Sequence, residues 1–163
     1  MDTTDYTMRR ATPDDANLIT EQRIRMFMET RPVSAEVEAS LHDVLPDQLR
    51  NMLESGQYAG WLLQDADGAI VGGAGVVLRR LLPRVETQVP CEALVVNVYV
   101  APEHRGHGLA RRLMETLLEW VREQGIERIA LHASSMGRPL YESLGFLPTS
   151  EMVLNLTADR AAE

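Results

Sequence analysis

Six consecutive residues, Arg105-Gly106-His107-Gly108-Leu109-Ala110, carry the strongest chemical signal in this sequence. Gly106 and Gly108 have no Cβ, so the turn they make can take positive φ and let a ligand come close to the backbone. Behind them Leu109, Leu113, Leu117 and Val121 recur every four residues, with Met114 and Leu118 alongside, the pattern of an amphipathic helix. The first N–H groups of a helix have no partner inside it and carry the positive end of its dipole. Glycines opening onto such a terminus make an anion site suited to a phosphate or pyrophosphate. Arg105 adds a fixed cation and a fork of donors. Two common phosphate loops are excluded: there is no G-x-x-x-x-G-K-[ST], and Arg111 stands where the third glycine of G-x-G-x-x-G would be. What remains is [QR]-x-x-G-x-[GA], filled by Arg105, Gly108 and Ala110.

A strand and a helix must hold this loop. Val95, Val96, Val98, Tyr99 and Val100 form a β-branched and aromatic run, so Leu94–Val100 is predicted as a strand, ended by Pro102. The helix that follows is predicted to stop near Gln124, with Gly125 as its C′ residue. Ile126–Ala133 is the next predicted strand, and Ser134–Pro139 leads into a short helix over Leu140–Leu144 closed by Gly145. Phe146–Leu156 is expected to give a last strand or a pair of short ones, and 157–163 a tail.

Two stretches, VYVAPEHRGHGLARRL and PLYESLGF, resemble motifs of the GNAT acyltransferase superfamily. The first is similar to the family's acyl-coenzyme A pyrophosphate loop and the strand before it. The second is similar to the helix carrying a tyrosine that often acts as general acid. They stand in the expected order and cover roughly residues 95–146. The resemblance implies an α/β fold with a mixed central sheet flanked by helices, in which two neighbouring parallel strands splay apart to admit the pantetheine arm. Here those strands are Leu94–Val100 and Ile126–Ala133. It also implies acetyl-coenzyme A as acyl donor and an amine as acceptor, with direct attack in a ternary complex.

Moving an acyl group from a thioester to an amine requires a held donor, a polarised carbonyl, a deprotonated amine and a protonated leaving thiolate. The resemblance assigns donor binding to Arg105, Gly106, His107, Gly108, Leu109, Ala110 and Arg111, and to the backbone of Val98, Tyr99 and Val100. Ser134 stands where the family often has an asparagine touching the cofactor, and nearby Arg138 is a further candidate. Tyr141 is the candidate general acid, since a phenol of ordinary pKa near 10 is protonated at neutral pH. The family's usual strand glutamate is replaced by Leu94. Glu92, two residues earlier, and His132, on the neighbouring strand, are therefore the titratable candidates for the base, beside a base relayed by water or an amine captured already neutral.

The rest of the chain is consistent with one domain over 1–163, with a core at 6–156 and short tails. Tyr6–Ala11 is predicted as a strand, and Thr12-Pro13-Asp14-Asp15 starts a helix running towards Met28. Met26, Phe27 and Met28 are candidates for the acceptor side, and the same spacing fits a core stripe. Two helical pieces are expected at Ala35–Leu41 and Leu45–Leu53, with Pro46 near the start of the second. Tyr58–Gln64 and Ala69–Arg79 read as a hairpin across Asp65–Gly68; Gly72, Gly73 and Gly75 mark either close packing against the sheet or a bend. Leu81–Ala93 is expected as a loop or an extended edge.

Bulk properties bound the function. A formal net charge of −8 makes nucleic acid a poor partner. Cys91 is the only cysteine, which excludes an internal disulfide or a cysteine-cluster zinc site and fits a reducing cytosol. The four histidines form no metal-binding motif, the N-terminus has no secretory signal, and no run is long enough to span a membrane. The expectation is a cytoplasmic, metal-free N-acetyltransferase acting on a small-molecule or protein amine, in a fold compatible with a homodimer. The alternative is a non-catalytic coenzyme A-binding or regulatory module.

Overall fold

A run buried on both faces marks Tyr58–Gln64 (β2) as an interior strand, and the sheet grows outward from it. The computed structural model describes residues 5–156. It divides into two compact units, one ending at His132 and the other beginning at Ala133. In the first unit, β1 (Thr7–Arg10), β2, β3 (Ile70–Arg80), β4 (Cys91–Val100) and β5 (Arg128–Leu131) lie side by side in chain order. The first three junctions are antiparallel, and β4–β5 is parallel. The helices of this unit are α1 (Ala16–Thr30), α2 (Ala35–Glu54) and α3 (Leu109–Glu123).

Alternation along β2 sends successive side chains to opposite faces. Tyr58 and Leu62 pack with Ala16 and Ile19 of α1 and Leu49 of α2. Trp61, on the other face, meets Trp120 of α3 edge-on, with ring centroids 5.5 Å apart. Helices therefore cover both faces of a mixed sheet, as expected. The two arginines that look out of place in β1 are both satisfied. Arg9 forks onto Asp15 at 2.9 and 2.7 Å, and Arg10 stacks over Trp61 and Trp120 at 4.3 and 4.9 Å. Asp15 also accepts the Thr12 N–H at 2.7 Å; Arg9 foremost holds its carboxyl down at about 2.

Four sequence expectations are corrected. The two helical pieces around Pro46 are one helix, α2. Proline removes one i→i−4 bond, and burial of Leu49 with Leu45, Met52 and Leu53 packed beside it keeps the helix continuous. β4 begins at Cys91 rather than Leu94, because Cys91, Glu92 and Ala93 pair with Arg80, Arg79 and Leu78. β5 is confined to Arg128–Leu131, so His132 and Ala133 lie outside it. No strand forms over 146–156. Pro148 has no N–H to give a ladder, and Leu147, Met152, Val153, Leu154 and Leu156 are 70 to 94% exposed. The expected tail at 157–163 lies outside the described residues. No described helix is long and apolar enough to cross a membrane.

Candidate active site

A bulge in β4 shapes the first unit's candidate site. Gly73 pairs with Tyr99 and Gly75 with Val96, so Asn97 and Val98 together oppose Ala74 alone. Asn97 takes φ +58°, a left-handed conformation that asparagine tolerates better than most side chains. Its side chain is buried and satisfied: Asn97 Nδ2 donates to Tyr58 Oη at 3.2 Å, and Arg23 Nη1 donates to Asn97 Oδ1 at 2.7 Å. The β3 glycines make room for this. A Cβ on Gly75 would collide with the Tyr58 hydroxyl, and one on Gly73 would lie 2.9 Å from Gln22 Oε1. Of the two sequence alternatives at these glycines, close packing and a bend, both are present. Burial pushes the Tyr58 phenol up to about 12, so it stays a neutral hydrogen-bonding group.

Beyond the bulge, β4 is open on one side. Its ladder with β5 runs only from Glu92 to Val95, so among the described residues Val96–Val100 have no strand on that side. Tyr99 and Val100 are buried, and Val98 is half-buried. The free edge offers backbone donors and acceptors to an extended ligand.

The glycine loop follows directly. A turn over Pro102–His104 leads to Gly106 and Gly108, at φ +83° and +73°, and α3 begins at Leu109. Both glycines use a conformation costly to any other L-residue. A Cβ built on either meets nothing within 4 Å, so open space lies against them. Gly108, the N-cap of α3, has no side chain to cap the helix, so its start presents backbone amides. Backbone amides and open space together fit a pyrophosphate. The Arg105 guanidinium, by contrast, is engaged within the protein. Its Nε donates to the Val100 carbonyl at 2.7 Å, and its Nη2 bonds both oxygens of Glu29 at 2.8 and 2.7 Å. It ties the loop to β4 and to α1. His107 is half-buried, Ala110 starts the helix, and Arg111 reaches Glu115 at 3.8 Å.

Arg23 of α1 and Arg31, just past its end, hold their guanidiniums 4.6 and 4.8 Å from the Phe27 ring centroid. Met28 is 45% exposed. In the second unit, α4 (Arg138–Ser143) begins two residues before the predicted Leu140. Ser134 Oγ accepts the Gly137 N–H at 3.1 Å, and the Ser134 carbonyl accepts the Arg138 N–H at 3.0 Å. Arg138 reaches Glu142 at 3.7 Å. The Tyr141 ring lies against Gly137, where an added Cβ would come within 2.8 Å, and meets Phe146 edge-on at 6.0 Å. Burial raises the Tyr141 phenol above its ordinary value, which keeps its proton in place.

Residues 23–146 match the acetyltransferase (GNAT) family. The chain belongs to this family. A GCN5-related N-acetyltransferase of Ralstonia eutropha JMP134 superposes with a TM-score of 0.86 at 31% identity, over 94% of this chain and 99% of that one. A predicted acetyltransferase of Clostridium acetobutylicum, crystallised with acetyl-CoA, shares the fold with a TM-score of 0.84 at 22% identity, over 94% and 97% of the two chains. N-acetyltransferase 8 of Rattus norvegicus is 27% identical over 133 residues, which is 80% of this chain and 58% of the rat protein. The chain thus spans little more than half the length of that relative.

Measured against the GNAT family, the base is the point of departure. Glu92 is buried in β4, with its carboxylate gripped by Arg79 of β3 and Arg128 of β5. Burial by itself would raise its pKa; the hydrogen bonds and charges of the two arginines outweigh that and hold it low. It stands six residues from Val98, about 20 Å along an extended strand. A carboxylate so held and so placed makes a weak base and a strong strut. Replacing Glu92 with glutamine is expected to destabilise the fold by about 3 kcal/mol, because two neighbouring guanidiniums lose their counter-charge. Thermal unfolding checks this. The Glu92 contribution is present above the unfolded glutamate pKa and is lost as pH falls through the lower folded pKa, so the native-to-variant gap in Tm should close in acid. Turnover by the folded variant within about threefold of native fits a strut; a fall beyond a hundredfold would return Glu92 to the role of base.

His132 is exposed, past the end of β5. Sequence reasoning missed Arg23, Glu29, Tyr58 and Asn97. The signal available was a lone asparagine in an apolar strand and an R-x-x-x-F-x-x-x-R spacing on the first helix.

Proposed function

We propose that this protein is an N-acetyltransferase that moves the acetyl group of acetyl-CoA to a primary amine by direct attack in a ternary complex. The observation that carries this is the uncapped start of α3 behind two left-handed glycines, with an unpaired β4 edge leading into it. Acetyl-CoA supplies the activated thioester. The α3 N-terminus and the amides of His107–Arg111 bind the pyrophosphate, with the helix dipole favouring its charge. The Val98–Val100 edge pairs with the pantetheine amides and aligns the carbonyl. The amine nitrogen forms the new C–N bond as the C–S bond breaks, and Tyr141 gives its proton to the departing sulfur. No carboxylate is assigned as base; the amine is taken up neutral or first loses its ammonium proton to water, and the further proton that nitrogen releases as the amide forms returns through water to the Tyr141 phenolate.

The second reading, a coenzyme A-binding module without turnover, draws on one observation: Leu94 replaces the usual glutamate and Glu92 is clamped. Calorimetric titration with acetyl-CoA, followed by coenzyme A thiol release across a panel of primary amines, separates the two. Binding with release supports the transferase. Binding without release from any amine supports the module. No binding removes both.

A further inference from the structure

Several arginines in this chain are matched to acids. Arg9 has Asp15, Arg50 has Asp47, Arg105 has Glu29, and Arg79 and Arg128 share Glu92. Arg23 and Arg31 share an aromatic ring instead. They lie four residues to either side of Phe27, Arg23 within α1 and Arg31 just past its end, and their ring contacts are given above; among the described residues neither has a carboxylate within ion-pair distance. This occurs in a protein with 24 acidic and 16 basic residues, where an acid could readily have been supplied. Burial foremost holds Arg23 below the ordinary arginine value; Tyr58 opposes this and the charge of Arg31 adds to it.

The pair is also held in place. Arg23 is half-buried and fixed by its 2.7 Å bond to Asn97, which directly precedes Val98 on the open β4 edge. One bond to Asn97 leaves most of the five guanidinium N–H donors of Arg23 available, in a planar fork suited to carboxylate or phosphate. Six residues on from Arg23, Glu29 bonds Arg105 of the glycine loop. The same helix therefore touches both the β4 bulge and the loop, so Arg23 borders the stretch to which donor binding is assigned.

We propose that the Arg23–Phe27–Arg31 stripe binds an anionic group carried by the amine acceptor, a carboxylate or a phosphate, while Phe27 covers the carbon skeleton beside it. This rests on the transferase reading above. The acceptor is then an amino acid-like or phosphorylated amine rather than a polycation, despite the net acidity of the protein. Charge-assisted bidentate contacts give such a site its discrimination.

The test uses the full chain saturated with coenzyme A and titrated calorimetrically with matched pairs of acetylated products. N-acetylglycine and N-acetyl-L-phenylalanine are compared with their amides, and N-acetyl-O-phosphoethanolamine with N-acetylethanolamine. At least one anionic member is expected to bind about tenfold or more tightly than its neutral partner, and the arm in which this occurs identifies carboxylate or phosphate. Arg31→Gln, at an exposed position, should abolish that preference with coenzyme A affinity unchanged; Arg23→Gln should do the same if the bulge survives. Equal binding of acid and neutral forms, no binding of any anionic member, or a preference that persists in Arg31→Gln overturns the proposal while coenzyme A binding still stands. Failure to bind coenzyme A at all removes the transferase reading, and this inference with it.

Discussion

Tyr141→Phe is expected to lower kcat by about a hundredfold or more, the usual range for loss of a positioned general acid, with the KM for acetyl-CoA within about threefold of native. The substitution deletes one hydroxyl. The ring that lies against Gly137 and Phe146 remains, so the fold around α4 should be kept. Because burial raises the phenol, the alkaline limb of the native kcat profile should lie above the ordinary tyrosine pKa near 10. That limb should vanish in the phenylalanine variant. A variant that turns over within threefold of native, with an unchanged alkaline limb, would mean that the thiolate takes its proton elsewhere.

Gly108→Trp is expected to weaken acetyl-CoA binding by more than a hundredfold without unfolding the protein. Gly108 sits at φ +73°, where an L-residue costs about 1–2 kcal/mol, and open space lies against it for an indole to fill. That space is the one a pyrophosphate needs. The control is Gly125→Trp. Gly125 has a similar φ of +68° and is equally open, but it lies past the other end of α3, about 22 Å away along a helix of 15 residues. Backbone strain is matched between the two variants, so a loss of binding at Gly108 alone assigns the cost to the ligand's place. Comparable losses in both would point to general distortion of α3 and remove the loop from the donor site. Calorimetry with acetyl-CoA, beside circular dichroism, reads each outcome.

Much of this frame is legible in the sequence because it rests on short-range physics. The apolar period of four from Leu109 to Val121 makes a helix wherever a face can be buried. Gly106, Gly108 and Gly125 occupy left-handed positions that a sequence can flag, since few other residues go there. The β2–β3 hairpin needs only its turn: Asp65 Oδ1 accepts the N–H groups of Asp67 and Ala69, and Gly68 takes φ +83°. Strand, loop and helix around Gly108 were therefore readable together, and the family with them.

Other features depend on partners distant in the chain. The stretch around Pro46 reads as two helical pieces, and packing against the α1 and β2 side chains joins them into α2. Phe146–Leu156 reads as a strand, but a strand is made by the neighbour it pairs with, and this segment has none. Glu92 reads as a candidate base. Its partners lie 13 and 36 residues away, and they clamp its carboxylate between two guanidiniums. Arg23 finds Asn97 across 74 residues, and Arg105 finds Glu29 across 76. The sequence by itself determined the local turn that exposes a helix start to an anion, and it offered candidates for the chemistry. Only the tertiary structure decided which charges are neutralised and which are left for a ligand. Electrostatic pairing depends on distance in space and on burial, and neither is carried by spacing along the chain.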